Sequence, residues 1–190
     1  MGPDLTVLTQ QKADARKLAF ERRKTAHSIQ SSQLACERLL RFLRPSAGKV
    51  VSAYMPIRTE IDVMPAMLRL AEETTLCVPV IRGAGMALDF HKWTPGCDMV
   101  EGPFGARVPA DAVPMRPEIV ILPLVAFDRR GYRLGYGGGF YDRSLESLTK
   151  SGPILSVGFA YSAQETDTVP IEPTDQRLDA MVTERETIVF

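Results

Sequence analysis

Apolar and polar positions fall into blocks along the chain, and the period of the blocks changes. Over the first 45 residues the pattern is helical. Thr9 is a candidate cap, few breakers occur before Pro45, and Leu34, Leu39, Leu40 and Leu43 form an apolar stripe. Ser31-Ser32 predicts a break within this segment. From residue 49 onward short apolar runs take over. "KVVSAY" (49–54), "TLCVPVI" (75–81), "EIVILPL" (118–124) and "ILSVGFA" (154–160) read as buried strands. "MALDFHKW" (86–93) alternates weakly and reads as a peripheral strand, and "ETIVF" (186–190) as a last one. Pro65 fits the first turn of a helix with Met64, Met67, Leu68 and Ala71 on its buried side. Tyr141, Leu145 and Leu148 carry the stripe of a second short helix, and the Pro- and Gly-rich residues 94–117 read as an irregular surface excursion.

The most hydrophobic run, 118–124, is expected to be central and parallel. Strands alternating with helices predict a layered α/β fold, a mostly parallel sheet flanked by helices. The expected organisation is one domain over residues 1–190, with a helical N-terminal segment at about 9–45 and an α/β body at about 49–190. Ligands in such folds bind outside the carboxyl ends of the strands.

Composition narrows the partners. Formal net charge is zero, so no bulk attraction draws the chain to nucleic acid or an anionic membrane, and neither is expected as a partner. Cys36, Cys77 and Cys97 are odd in number and form no CxxC pair, which argues against a disulfide framework and for a reducing, cytoplasmic setting. No apolar run approaches the roughly 18 residues of a membrane helix, and no signal-peptide pattern opens the chain. A monomer is expected. His27 and His91 have no partner at metal-ligand spacing, Trp93 reads as a packing residue, and no Ser-His-Asp or Cys-His arrangement is visible.

The candidate chemistry lies in "RLGYGGGFYD" (133–142). Glycines admit φ > 0 and let backbone N–H groups approach a ligand, and successive N–H groups form an anion nest. A helix starting there adds its free N–H groups and positive dipole end. Taken alone, a glycine-rich turn is usually structural. Here Arg133 can pair with a phosphate, and Asp142 in the first helical turn can bind Mg²⁺ through oxygen. The combination describes a nucleoside triphosphate–Mg²⁺ site. It is neither a Rossmann fingerprint, since position 140 is Phe, nor a Walker A loop, since no Gly-Lys-Ser/Thr follows.

The longer stretch "LPLVAFDRRGYRLGYGGGFYDRSL" (122–145) resembles the signature of the 5-formyltetrahydrofolate cyclo-ligase family. "KADAR" (12–16), "YMPIRTEID" (54–62), "GPFGARVP" (102–109) and "TDQRLDAMVTE" (174–184) resemble further family segments. The resemblance implies a Rossmann-like α/β fold of the CoA-transferase-like kind. It implies ATP- and Mg²⁺-dependent conversion of 5-formyltetrahydrofolate, with or without a polyglutamate tail, to 5,10-methenyltetrahydrofolate. Lys12 and Arg16 lie one helical turn apart, Lys12 in the predicted first turn; by themselves they read as part of a solvated basic face with Lys17, Arg22, Arg23 and Lys24. The resemblance makes them phosphate contacts, with Arg16 also near the folate.

By the same resemblance Arg133 and Asp142 are catalytic. The nucleotide contacts are Lys12, Arg16, Arg133, Leu134, Gly135, Tyr136, Gly137, Gly138, Gly139, Phe140 and Tyr141. The folate contacts are Arg16, Met55, Glu60, Tyr136, Gly137, Gly138, Gly139 and Phe140, with Glu60 on the pterin. Asp142 and Asp175 are the metal ligands. Tyr141 could bond a phosphate or pack, and Asp179 could act in the site or merely be solvated. Some relatives place Arg and Lys where this chain has Tyr136 and Gly138, which throws phosphate binding onto backbone N–H groups, Arg133, Lys12 and Arg16. Two other classes stay open: a non-catalytic folate- or nucleotide-binding module, and an α/β enzyme acting on a phosphorylated sugar or a CoA ester.

Overall fold

The computed structural model describes residues 5–190. Two helices open it, α1 (Leu5–Ala26) and α2 (Ile29–Leu43). Thr9 therefore lies inside α1 and caps nothing, and Lys12 sits about two turns in rather than in the first turn. The break falls at His27–Ser28, three residues before the serine pair that predicted it. Ser28 is extended (φ −156°, ψ 139°) and its side chain accepts from the Ser31 N–H, so the first serine of the run is the cap. Leu39 and Leu43 are buried, whereas Leu34 is exposed.

A seven-stranded sheet follows. Its parallel strands are β1 (Val50–Ser52), β2 (Thr75–Val80), β6 (Ile119–Leu122), β9 (Leu155–Phe159) and β10 (Ala180–Val182). Antiparallel strands β3 (Asp89–Trp93) and β11 (Thr187–Val189) close the two edges, and the spatial order is β11-β10-β9-β6-β1-β2-β3. Residues 94–117, expected to be irregular, contain a small hairpin of β4 (Met99–Glu101) and β5 (Arg107–Pro109). A second hairpin, β7 (Ala126–Phe127) and β8 (Arg133–Leu134), stands between β6 and the glycine loop. The buried Asp128 organises its turn, accepting from the N–H groups of Arg130, Tyr132 and Val169.

Strand β6 displays the layering residue by residue. Ile119 and Ile121 face one core with α2 and the helix α3 (Met64–Leu70). Val120 and Leu122 face the other with Leu145 of α4 (Phe140–Lys150). All four side chains are buried, as the uninterrupted apolar run predicted. Pro65 does begin α3, but the buried residues are Ala66, Met67 and Leu70, and Leu68 points outward. Trp93 packs in the first core.

From β1 the chain moves to β2 on one side, while β6 pairs on the other side of β1. A crevice opens where neighbouring parallel strands lead away in opposite directions, at their carboxyl ends. Segment 53–62 leaves β1 there, and residues 123–142 leave β6 there. Helix α1 lies over the second hairpin, with Ala19 against Val125, Ala126 and Leu134.

Candidate functional site

The crevice holds a cavity of about 620 Å³, within the range of small-molecule sites. All the residues that the sequence singled out for nucleotide, folate or metal line it, from Lys12 and Arg16 through Met55, Glu60 and the 133–142 stretch to Asp175. Asp179 does not. Its Oδ2 accepts from the Ser156 N–H and hydroxyl, both at 2.7 Å, and pins the tail to β9.

One wall is built by the glycine loop and the tail. Arg133 is buried on β8, where its Nη2 donates to Asp142 Oδ1 at 2.8 Å and its Nη1 to the Gln176 carbonyl at 2.7 Å. Asp142 Oδ1 also accepts from the Gln176 N–H at 2.9 Å, so the first turn of α4 is stitched to the residue after Asp175. Lys12 reaches across from α1, its ammonium 2.8 Å from Asp175 Oδ2 and 3.4 Å from Glu172. This pairing explains how a lysine is only 8% exposed.

The loop is shaped by glycines where the backbone is left-handed. Gly137 has φ 104°, and Gly139, the cap of α4, has φ 62°. A Cβ on Gly139 would fall 2.6 Å from the Arg143 guanidinium. Two arginines hold the loop by its carbonyls: Arg16 Nε donates to Gly135 at 2.9 Å, and Arg143 Nη2 donates to Gly138. Among the described residues the N–H groups of Gly137, Gly138 and Gly139 donate to no backbone carbonyl. Carbonyls engaged and N–H groups available is the polarity an anion requires. Arg16 and Arg143 thus bring cations to a loop that carries none at positions 136 and 138.

The other wall centres on Glu60, which is 5% exposed. Its turn closes on itself: Glu60 N–H donates to the Ile57 carbonyl, and Ile57 N–H donates to Glu60 Oε2, each at 3.0 Å. Tyr54 Oη donates to the Ile61 carbonyl at 2.7 Å and anchors the segment to the end of β1. Burial pushes the Glu60 carboxyl above its ordinary pKa; the Ile57 N–H and the Arg23 charge pull it part of the way back. Burial, then the Glu60 charge, also pushes up the phenols of Tyr136 and Tyr141, which keeps both protonated donors.

Sequence reasoning missed Arg23. It is 1% exposed, its Nη2 donates to Tyr136 Oη at 2.8 Å, its Nε donates to Thr59 Oγ1 at 3.2 Å, and its Nη1 stands 3.9 Å from Glu60 Oε1. A signal was present. Lys12, Arg16, Ala19 and Arg23 recur at helical spacing, so Arg23 shares a face with the two cations already singled out.

Asp142 and Asp175 are carboxylates available to a divalent cation beside the glycine loop. In each of Asp142 and Asp175 a single oxygen carries the protein hydrogen bonds, leaving the second to a ligand. Among the described residues no group of three or more His, Cys, Asp or Glu could hold a metal. Two carboxylates beside an anion nest fit Mg²⁺, which binds through one or two carboxylates together with substrate phosphates and keeps several waters.

An α/β protein with a cavity at the strand switch point, lined by a glycine-rich loop and a buried carboxylate, has the build of a ligand-binding enzyme. The model of the 5-formyltetrahydrofolate cyclo-ligase family matches residues 8–184. The chain is 32% identical over 161 residues to the 5-formyltetrahydrofolate cyclo-ligase of Escherichia coli, covering 80% of this chain and 86% of that one. It is 31% identical over 156 residues to that of Mycolicibacterium smegmatis, covering 75% and 77%. The solved structure of Aquifex aeolicus 5,10-methenyltetrahydrofolate synthetase superposes with a TM-score of 0.76 at 29% identity, covering 94% of this chain and 92% of that one. The chain belongs to the 5-formyltetrahydrofolate cyclo-ligase family. No helix among the described residues is long and apolar enough to cross a membrane.

Proposed function

We propose that this chain cyclises 5-formyltetrahydrofolate to 5,10-methenyltetrahydrofolate, consuming ATP in the presence of Mg²⁺ and releasing ADP and phosphate. The observation that carries the reading is that one cavity is lined both by Lys12, Arg16, Arg133 and the glycine loop and by Glu60, Met55 and Tyr136. It has room and chemistry for a triphosphate and a pterin side by side.

The chemistry needs little from the side chains beyond position and charge. A formamide carbon is a poor electrophile and its oxygen a poor leaving group. Transfer of the γ-phosphoryl group to the formyl oxygen cures both defects and releases ADP. N10 then attacks the activated carbon and closes the five-membered ring; the C–O bond breaks, phosphate departs, and the N10 proton passes to solvent. Lys12, Arg16, Arg133 and the N–H groups of residues 137–139 hold the triphosphate and spread its charge. Asp142 and Asp175 would hold the Mg²⁺, which when bound supplies further positive charge to the phosphate oxygens. Glu60 accepts two N–H bonds from the 2-amino-pyrimidinone edge of the pterin. Met55 and Tyr136 to Phe140 border it, so that the formyl oxygen faces the γ-phosphate. Tyr141, half-buried, packs against two apolar clusters and lines the cavity.

The test is spectroscopic. Purified protein with ATP, Mg²⁺ and 5-formyltetrahydrofolate is expected to generate the near-ultraviolet absorbance of the methenyl product, and omission of ATP to abolish it. Ligand-dependent thermal stabilisation without turnover would instead identify a binding module.

A further inference from the structure

Arg23 makes no part of the cavity lining, yet it is a charged residue only 1% exposed. It stacks within 5.2 Å of the Phe20 ring centre and 5.4 Å of that of Tyr136. An apolar side chain would fill the same space without the cost of burying a charge. The charge is therefore there for something it faces. The acid it faces is Glu60, which lines the cavity in front of it.

We propose that Arg23 is a positioning residue of the folate wall: from behind the cavity it holds the Glu60 carboxylate and the Tyr136 ring in the orientation that receives the pterin. This rests on the reading of Glu60 as the folate-binding carboxylate. Nη1 of Arg23 is buried without a hydrogen-bond partner and stands 3.9 Å from Glu60 Oε1. Closing that gap to a charge-assisted bond takes a shift of about 1 Å. Nη2 donates to Tyr136 Oη at 2.8 Å, which leaves the phenol's own proton for Glu60 or a ligand. One planar fork on α1 thus addresses both the β1 segment and the glycine loop, a geometry that a lysine does not reproduce.

Every charged or titratable group facing Glu60 enters its titration. These are Arg23 from α1, Arg58 in its own turn, Tyr54 after β1, Tyr136 on the glycine loop and Tyr141 on α4. Arg23, the Tyr136 hydroxyl and Arg58 favour the carboxylate; the tyrosines bear no charge at neutral pH.

The test combines a titration with kinetics on the full chain. The Glu60 side-chain ¹³C signal is followed against pH in the ligand-free protein, for the parent, Arg23→Gln and Arg23→Lys. Arg23→Gln is expected to raise the Glu60 midpoint by about one pH unit or more. It is also expected to raise the KM for 5-formyltetrahydrofolate about tenfold, with the KM for ATP unchanged. Arg23→Lys is expected to recover most of the midpoint but not the folate KM. An unmoved midpoint in Arg23→Gln, or equal rises in both KM values, overturns the proposal. If Arg23→Gln does not fold, Arg23→Lys decides. A selective rise in folate KM supports the proposal, and an unchanged one overturns it. Glu60→Gln with an unchanged folate KM would sink the folate reading of this wall, while the titration still reports whether Arg23 sets the Glu60 charge.

Discussion

The two walls of the cavity treat their charges in opposite ways. At the glycine loop two of the cations are closed onto acids: Arg133 on Asp142 and Lys12 on Asp175, each at 2.8 Å. At the Glu60 wall Arg23 stops 3.9 Å from Glu60 and keeps one buried nitrogen unpartnered. The first arrangement stores charge in neutral pairs that a polyanion and its cation can compete for and re-sort. The second is a preformed acceptor whose own counter-ion is not fully engaged. A triphosphate brings strong charge and can pay for rearrangement; a pterin is neutral and needs its acceptor ready.

The largest expected effect breaks the glycine-loop wall. Asp142→Asn keeps an acceptor for Arg133 and the Gln176 N–H but binds Mg²⁺ poorly. Turnover should fall by about 10²-fold or more, while the thermal midpoint moves little. Near-normal turnover with unchanged Mg²⁺ dependence would remove Asp142 from that role. Next comes Arg133→Ala, which strips the partner from a carboxylate that is 24% exposed. Loss of about 2–3 kcal/mol in urea unfolding is expected, below the cost of breaking a fully buried pair. The ATP requirement should rise more than the folate requirement; the reverse order would place Arg133 on the folate side.

Glu60→Gln sharpens the contrast through pH. Glu60 titrates above its ordinary value of 4.5, so the folded state holds its proton more tightly than the unfolded chain. Its contribution to stability is therefore fully present below 4.5 and fades as pH rises through the raised native pKa. On the proposed reading folate binding runs the other way: it uses the carboxylate and should strengthen as pH rises through that same pKa. Glu60→Gln should weaken folate binding about 10- to 100-fold at neutral pH and flatten both pH dependences. Binding that keeps the parent's acid limb would assign the limb to another group. The smallest effect concerns Arg58, the one non-glycine residue with positive φ (55°) among the described residues. Arg58→Gly should stabilise the fold by up to about 1 kcal/mol through relief of that strain. A destabilised variant would mean that its side chain does more than line the cavity.

What the sequence disclosed follows from where its signals are local. Ile119 to Leu122 form a run buried on both faces, and Pro65 marks a helix start, so both were legible. The glycine loop was legible because glycines, Arg133 and Asp142 fall within ten consecutive positions. Strand β10 was not, because three apolar residues between Asp179 and Thr183 are too few to declare a strand, and their burial comes from β9 and β11. The break was placed three residues late because three serines lie within five residues and only backbone geometry chooses the cap among them. Arg23 was hidden in the run Arg22-Arg23-Lys24, which reads as solvated until tertiary packing turns one of the three inward.

The most direct measurement uses 5-formyltetrahydrofolate labelled with ¹⁸O in the formyl group, incubated with the protein, ATP and Mg²⁺. If the formyl oxygen takes the γ-phosphoryl group and leaves with it, the released phosphate carries one ¹⁸O for each methenyl product formed. Unlabelled phosphate, with the ¹⁸O recovered in water, would contradict phosphorylation of that oxygen.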